Sequence, residues 1–136
     1  SRWDTAASVQ WIRARFSGGP NLGRDVPLVP RTTLTARLGW AASAAQRLEL
    51  ALTYRSAAVV GGDTANACER VPASTRWDAR YTYKLREDAR GWSLSAALEN
   101  LTNRQSYSNA YSAGCAAVGV YPEPGRSLKL QARYAY

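Results

Sequence analysis

The sequence predicts an all-β chain: about six consecutive strands of an antiparallel, up-and-down transmembrane β-barrel. Three observations in its 136 residues point there. Apolar and polar residues alternate with period two in almost every segment, which is the side-chain period of a strand with one oily and one wet face. Short and long connections alternate strictly, so one end of a meander collects the tight turns and the other collects the long loops. The aromatics of the oily faces fall mainly at strand ends, where a membrane–water interface selects rings with a polar tip.

The first strand, at about 6–16, is the least regular. Val9 and Trp11 share one parity, whereas Ile12, Ala14 and Phe16 share the other, and a bulge near Trp11 would reconcile them. The second, 31–42, sets Leu34, Ala36, Leu38 and Trp40 against Thr33, Thr35, Arg37 and Gly39. In the third, 47–57, Leu48, Leu50, Leu52 and Tyr54 oppose Glu49, Ala51, Thr53 and Arg55. The fourth, 75–85, carries Trp77, Ala79, Tyr81, Tyr83 and Leu85 on one side, with Arg76, Asp78, Arg80, Thr82 and Lys84 on the other. The fifth, 92–107, opens with Trp92, Leu94, Ala96 and Leu98 on its oily side. The sixth, 126–136, alternates Leu128, Leu130, Ala132, Tyr134 and Tyr136 with Ser127, Lys129, Gln131 and Arg133.

The connections SAAQ (43–46) and REDARG (86–91) are tight and polar, whereas 17–30, 58–74 and 108–124 are long and rich in Gly, Pro, Asn, Ser and Ala. With the turns at the periplasmic end, Trp40, Tyr83, Trp92, Tyr134 and Tyr136 fall at the inner boundary of the oily face, and Tyr54 and Trp77 fall near the outer one. The middle is Leu and Ala. A soluble β-sandwich has no reason to sort its rings by strand end, yet it stays open as a binding-module reading in which the same leucines form a core.

Composition narrows the function. No apolar run approaches the roughly 20 residues of a membrane helix, and a negative mean hydropathy is uninformative for a barrel, whose alternation averages out. The net charge is +8, and sixteen of the eighteen basic residues are Arg. They are spread through nearly every segment with no stripe or RNA-binding signature, which argues against a nucleic-acid partner. With no His and only Cys68 and Cys115, the sequence offers no metal-ligand spacing, no cofactor motif and no nucleophile–base pair, so no enzyme is expected. The two cysteines lie in separate long loops at the same end, which suits a disulfide in an oxidising compartment; two free thiols are the alternative. Glu49, Asp78 and Glu99 lie among Arg37, Arg55, Arg76, Arg80 and Lys84 on the wet faces, and a ladder of cross-strand ion pairs is the simplest use for them.

Three stretches, VPLVPRTTLTARLGW, LENLTNRQSYSNAY and VYPEPGRSLKLQARYAY, resemble together the last strands of TonB-dependent outer-membrane receptors. The resemblance rests on Val29, Pro30 and Arg31; Asn100, Leu101, Thr102, Asn103 and Tyr107; Pro124, Gly125 and Arg126; and the terminal aromatic Tyr136. It implies a barrel of the 22-strand type, an N-terminal plug inside it, and import across the bacterial outer membrane of a ferric siderophore or similar scarce nutrient. The implied partners are TonB, acting on a region ahead of the plug, and the barrel-assembly machinery, for which Tyr136 is the signal. Six strands without a plug make this chain one part of such a barrel, completed by strands elsewhere. A small self-contained barrel of structural or adhesive role is the other membrane reading, although the smallest bacterial barrels need eight strands. For contact with an anionic, flat ferric complex the candidates are Arg55, Arg76, Arg104, Tyr107 and Tyr111, through charge and stacking area. The same residues suit contacts with outer-membrane lipid and lipopolysaccharide.

Overall fold

Every long segment of alternating residues becomes a strand, and no α-helix forms among the described residues. The computed structural model describes residues 2–85, 91–115 and 118–136. In chain order the elements are β1 (Arg2–Trp11), a 3-10 turn (Gly19–Asn21), β2 (Thr32–Ala41), β3 (Gln46–Arg55), β4 (Ala58–Val59), β5 (Arg70–Val71), β6 (Ser74–Lys84), β7 (Gly91–Glu99), β8 (Tyr107–Ser112), β9 (Val118–Pro122) and β10 (Ser127–Ala135). Six of them form one sheet in the order β1-β2-β3-β6-β7-β10, while β4–β5 and β8–β9 are small hairpins within the second and third long connections. All pairs of the six-stranded sheet are antiparallel, so it is an up-and-down meander.

Two segments end earlier than their patterns suggest. The first strand runs from Arg2 to Trp11 in unbroken register, with no bulge. The parity switch between Trp11 and Ile12 marks its end: Ile12 donates one last backbone bond to Arg31 at 2.8 Å, and the chain then leaves the sheet. The fifth strand stops at Glu99, because Asn100 and Asn103 take left-handed conformations at φ 52° and 50°. Asn tolerates that region better than most residues. Tyr107, placed by its pattern at the end of this strand, opens the β8–β9 hairpin instead. The turn expected over 86–91 lies, apart from Gly91, outside the described residues, as do 116–117 of the third loop.

The register aligns the faces across the sheet. Trp3, Trp40, Leu48, Tyr81, Ala96 and Leu130 form one row, and Asp4, Gly39, Glu49, Arg80, Ala97 and Lys129 form the adjoining row on the opposite face. The oily face is uncovered: Leu130 is 76% exposed, Leu128 63% and Trp92 50%. This excludes the sandwich, in which a second layer would bury those leucines. Aromatics pair at the tight-turn end, with Trp3 stacked on Trp40 at 5.6 Å and Trp92 tilted against Tyr134 at 5.3 Å between ring centroids. Such pairs contribute about 0.5–1.5 kcal/mol beyond area burial.

Ion pairs run along the wet face. Arg76 meets Asp78 at 3.0 Å, and Lys129 meets Glu99 at 2.7 Å. Arg47 on β3 bonds Glu49 and reaches across β2 to Asp4 on β1, at 2.8 Å. The bridge passes over Gly39, where a Cβ would collide with the Arg47 guanidinium and lie 2.7 Å from both Asp4 oxygens. Glycine inside a strand usually marks such a close approach. Gly39→Val is therefore expected to break the bridge and lower stability by about 1–3 kcal/mol, read as a shift in denaturation midpoint.

The outer edges of β1 and β10 have no strand partner among the described residues. In hydrocarbon each unpaired backbone group costs several kcal/mol. An oily face left bare and two edges open among the described residues suit one stretch of a barrel wall.

Candidate functional site at the loop end of the sheet

The core of this molecule lies in its loops. Its most buried apolar residues include Val59 and Val60 of the second long connection and Ala110 of the third. All three long connections emerge at the same end of the sheet, and each is joined to the next. Leu28 of the first donates its backbone N–H to the Val59 carbonyl at 2.8 Å. Gly61 and Tyr111 form a parallel bridge between the second and third, with Gly61 and Ser112 as donors at 2.8 Å. The Tyr111 ring lies over Gly61 and Gly62, where a side chain at either position would press against it. Cys68 and Cys115 are joined by a disulfide, as their placement in two loops at one end suggested.

Two carboxylates organise the second connection and attach it to the first. Asp63 accepts the backbone N–H groups of Ala67 and Cys68 at 3.0 and 2.9 Å. Asn66, left-handed at φ 55°, uses its whole side-chain amide on the Asp25 backbone: Oδ1 accepts from the Asp25 N–H at 2.8 Å, and Nδ2 donates to the Asp25 carbonyl at 3.0 Å. Arg15, Arg31 and Arg70 surround the Asp25 carboxylate. The hydrogen bond from Arg31 holds the Asp25 carboxyl below its ordinary value, and the Cys68 N–H does the same for Asp63.

Both shifts have the same consequence. A carboxyl whose folded pKa is depressed stabilises the fold fully above its unfolded value, near 3.8, and loses that contribution as pH falls through the lower folded value. Pepsin cleavage in these loops is therefore expected to begin only below about pH 4, with the sheet still resistant there. Loops cleaved equally fast at pH 5 would contradict this.

The third connection is fastened to the sheet by asparagine. Asn100 is 3% exposed; its Nδ2 donates to the Arg104 and Pro124 carbonyls, and its Oδ1 accepts the Arg104 N–H. Its own N–H bonds Asp78 on β6. Asn103 Oδ1 accepts the Arg126 N–H at 2.9 Å just before β10 begins. Asn100→Ala leaves these groups unpaired at a buried site and is expected to cost about 2–4 kcal/mol, measured by chemical denaturation.

The fold has counterparts among known proteins. A family model, TonB dependent receptor-like, beta-barrel, matches residues 1–101. The chain belongs to that family. The siderophore receptor PiuA from Acinetobacter baumannii superposes with a TM-score of 0.74 at 22% identity, over 96% of this chain and 19% of that one. The ferric citrate transporter FecA gives 0.81 at 19% identity, over 96% and 20%. The ferric yersiniabactin uptake receptor FyuA from Yersinia pestis gives 0.79 at 19%, over 97% and 21%. At these identities the likeness shows the barrel fold, and this chain spans about a fifth of each solved receptor. A comparison with curated protein sequences gives no match.

As part of a receptor barrel, the chain holds its five candidate contact residues in different ways. Arg55, at the outer end of β3, pairs with Glu123 at 3.2 Å, and Glu123 also accepts from Ser106 at 2.7 Å. Arg55 is thereby brought to the base of the hairpin that carries Tyr107 and Tyr111. Tyr107 is half-buried there, whereas Tyr111 is 56% exposed. Arg76 instead turns to Asp78 on its own strand, and Arg104 is exposed on the turn that Asn100 holds. Tyr136 follows the last residue of β10 with its side chain fully exposed. The Asp25 cluster escaped the pattern of the sequence, because Asn66 and Arg70 lie 41 and 45 residues beyond Asp25, and Arg15 and Arg31 are scattered to either side of it.

Proposed function

We propose that this chain is the C-terminal wall, and part of the external mouth, of a TonB-dependent outer-membrane receptor that imports a ferric siderophore or similar scarce nutrient. The reading is of a transporter part with no catalytic role. The observation that carries it is the division of one sheet into an exposed oily face, a face of paired charges, and a single end at which all long loops are knitted together. Lipid suits the first and an enclosed aqueous interior the second. Membership of the receptor-barrel family and the likeness to siderophore receptors support the same reading.

On this reading the remaining strands and the plug come from the same receptor, TonB supplies energy from the periplasm, and Tyr136 is presented to the barrel-assembly machinery. Arg55 and Tyr111 contact ligand from the mouth, with Arg76 below them and Arg104 and Tyr107 beside the hairpin. Arg55→Ala combined with Arg76→Ala in the intact receptor is expected to lower uptake about tenfold at limiting ligand, the loss of roughly one charge-assisted contact. Uptake is measured as radioiron accumulation in iron-starved cells with matched surface levels of receptor. Unchanged uptake would reject this assignment of the mouth.

A further inference from the structure

The three long loops are joined in series by backbone bonds, and the series stops at an open edge. The first is bonded to the second from Leu28 to Val59, and the second to the third through the Gly61–Tyr111 bridge. That bridge occupies one side of the β8–β9 hairpin. Gly61 donates to the Ala110 carbonyl of β8, and Ser112 of β8 donates to the Gly61 carbonyl. Since β8 and β9 form a two-stranded sheet, the outer edge of β9 has no strand partner among the described residues.

Strand alternation identifies the groups on that edge. Ala110 and Ser112 aim backbone groups at Gly61, so Tyr111 between them aims its own at β9, where it faces Gly119. Glu123, four residues on from Gly119, likewise donates inward, to the Ser106 carbonyl at 2.8 Å. Gly119 and Tyr121 therefore direct their groups toward β8, whereas the N–H and carbonyl of Val120 point outward. Natural edge strands are commonly blunted by charged side chains. The exposed run from Gly119 to Pro122 carries none, and Val120 and Tyr121 are 50% and 60% exposed. Only Pro122, which lacks an N–H, limits the edge, at the end nearer the sheet. An uncharged apolar edge with an outward donor and acceptor is a template for adding an extended segment.

The direction of the edge selects what is added. Gly61 belongs to the connection between β3 and β6, which lies on the β7 side of the hairpin. β8 is thus turned toward the loops already joined, and β9 toward the side of β10, whose own outer edge is open among the described residues. In the receptor barrel proposed above, on which this inference rests, a further strand closes on β10. Being antiparallel to β10, that strand carries an external loop at the same end of the wall. The chain spans 19–21% of the solved receptors it resembles, which leaves ample length for such a strand and its loop. We propose that the outer edge of β9 pairs through Val120 with an extended segment of the external loop belonging to the strand that closes on β10, so that the bonded series of loops continues around the mouth.

Hydrogen exchange of the intact receptor in detergent micelles tests the pairing. The Val120 amide is expected to exchange about a hundredfold or more slowly than an unstructured amide. The alternate amides of β10 that point away from β7 are scored beside it. Their protection with fast exchange at Val120 would overturn the pairing and leave the barrel wall standing, whereas fast exchange at those β10 amides would overturn the wall and this inference with it. A cross-link names the occupant. Tyr121→p-benzoylphenylalanine, irradiated in cells, is expected to bond to a peptide of the external loop beside β10, located by mass spectrometry. A cross-linked receptor dimer, a bond to another protein, or no cross-link would each overturn the proposal. Adding Val120→Pro removes the outward donor and leaves the β8 ladder intact; it should lower the cross-link yield about tenfold while Gly61 and Ser112 keep their protection. Undiminished yield would show that Val120 makes no such bond. Exchange and cross-linking with Val120 in place decide the matter even where the Pro variant folds poorly.

Discussion

Leu130→Arg is expected to cost about 2–4 kcal/mol when the intact receptor folds into phospholipid vesicles, the depth-dependent penalty for a charge facing lipid near the bilayer midplane. Leu130 lies near the middle of β10 and is 76% exposed on the oily face. In a water-soluble protein an exposed Leu→Arg change is close to neutral. The sign of the result therefore reports which solvent that face meets. Gln131→Arg supplies the control, one residue along the same strand and on the opposite face. It should change stability by no more than about 0.5 kcal/mol, since that face already carries Arg47, Arg80 and Lys129 and is solvated. Denaturant titration of vesicle-folded protein, followed by tryptophan fluorescence, measures both. Equal costs for the two variants would show that neither face is in contact with lipid, and the wall assignment would fail with it.

The contrast between those neighbours explains why so much of the fold was legible in the sequence. Period-two alternation is a one-dimensional signal that survives into three dimensions, because a one-residue slip would turn every Leu of a strand toward water. It therefore announced the faces, the strand order and the end at which loops gather. It failed where contrast was weak or the backbone unusual. Around Ala6 and Ala7 of β1 small residues suit either face, so the start of the strand at Arg2 and the place of Trp3 in the inner aromatic belt went unseen. Asn100 and Asn103 read as strand continuation, although a pair of Asn three residues apart is a turn signal, because Asn tolerates positive φ and bonds nearby backbone. Gly39 stood in plain view within an alternating strand, but the crossing of Arg47 to Asp4 depends on register between three strands. The Asp25 cluster is less legible still. Asn66 reaches Asp25 from 41 residues away, and no local period records a contact between two loops. Arg55 and Arg76 were placed at the loop end by the alternation of short and long connections, and Asp78 on the same face as Arg76 by strand parity, yet the pairing of Arg55 with Glu123 emerges only from the fold.

Removing the disulfide by Cys68→Ala with Cys115→Ala is expected to have the largest effect on the loop end. In the chain-entropy account, a link that closes the roughly 20 loop residues between Cys68 and Cys115 lying outside β6 and β7 restricts the open ensemble by about 3 kcal/mol. That ensemble is the set of loop conformations released from the sheet, because β3, β6, β7 and β10 remain paired through their own ladders. The loss should travel along specific bonds. Cys68 is also the residue whose N–H satisfies Asp63, and Asp63 and Asn66 together hold Asp25 and the first loop. Freed of its link, the second loop is expected to lose the Gly61–Ser112 backbone bonds to the third, and then its grip on the first. Hydrogen exchange resolves that order: the Gly61 and Ser112 amides should exchange about a hundredfold or more faster in the variant, the Asp25 amide by a smaller factor, and amides of the β2–β3 ladder at their original rate. Protection unchanged at Gly61 would mean that packing of Val59, Val60 and Ala110 alone holds the mouth together. Faster exchange throughout β2–β3 would mean that sheet and loops unfold as one unit, contrary to a wall that stands by its own hydrogen bonds while the mouth is held by a single covalent link.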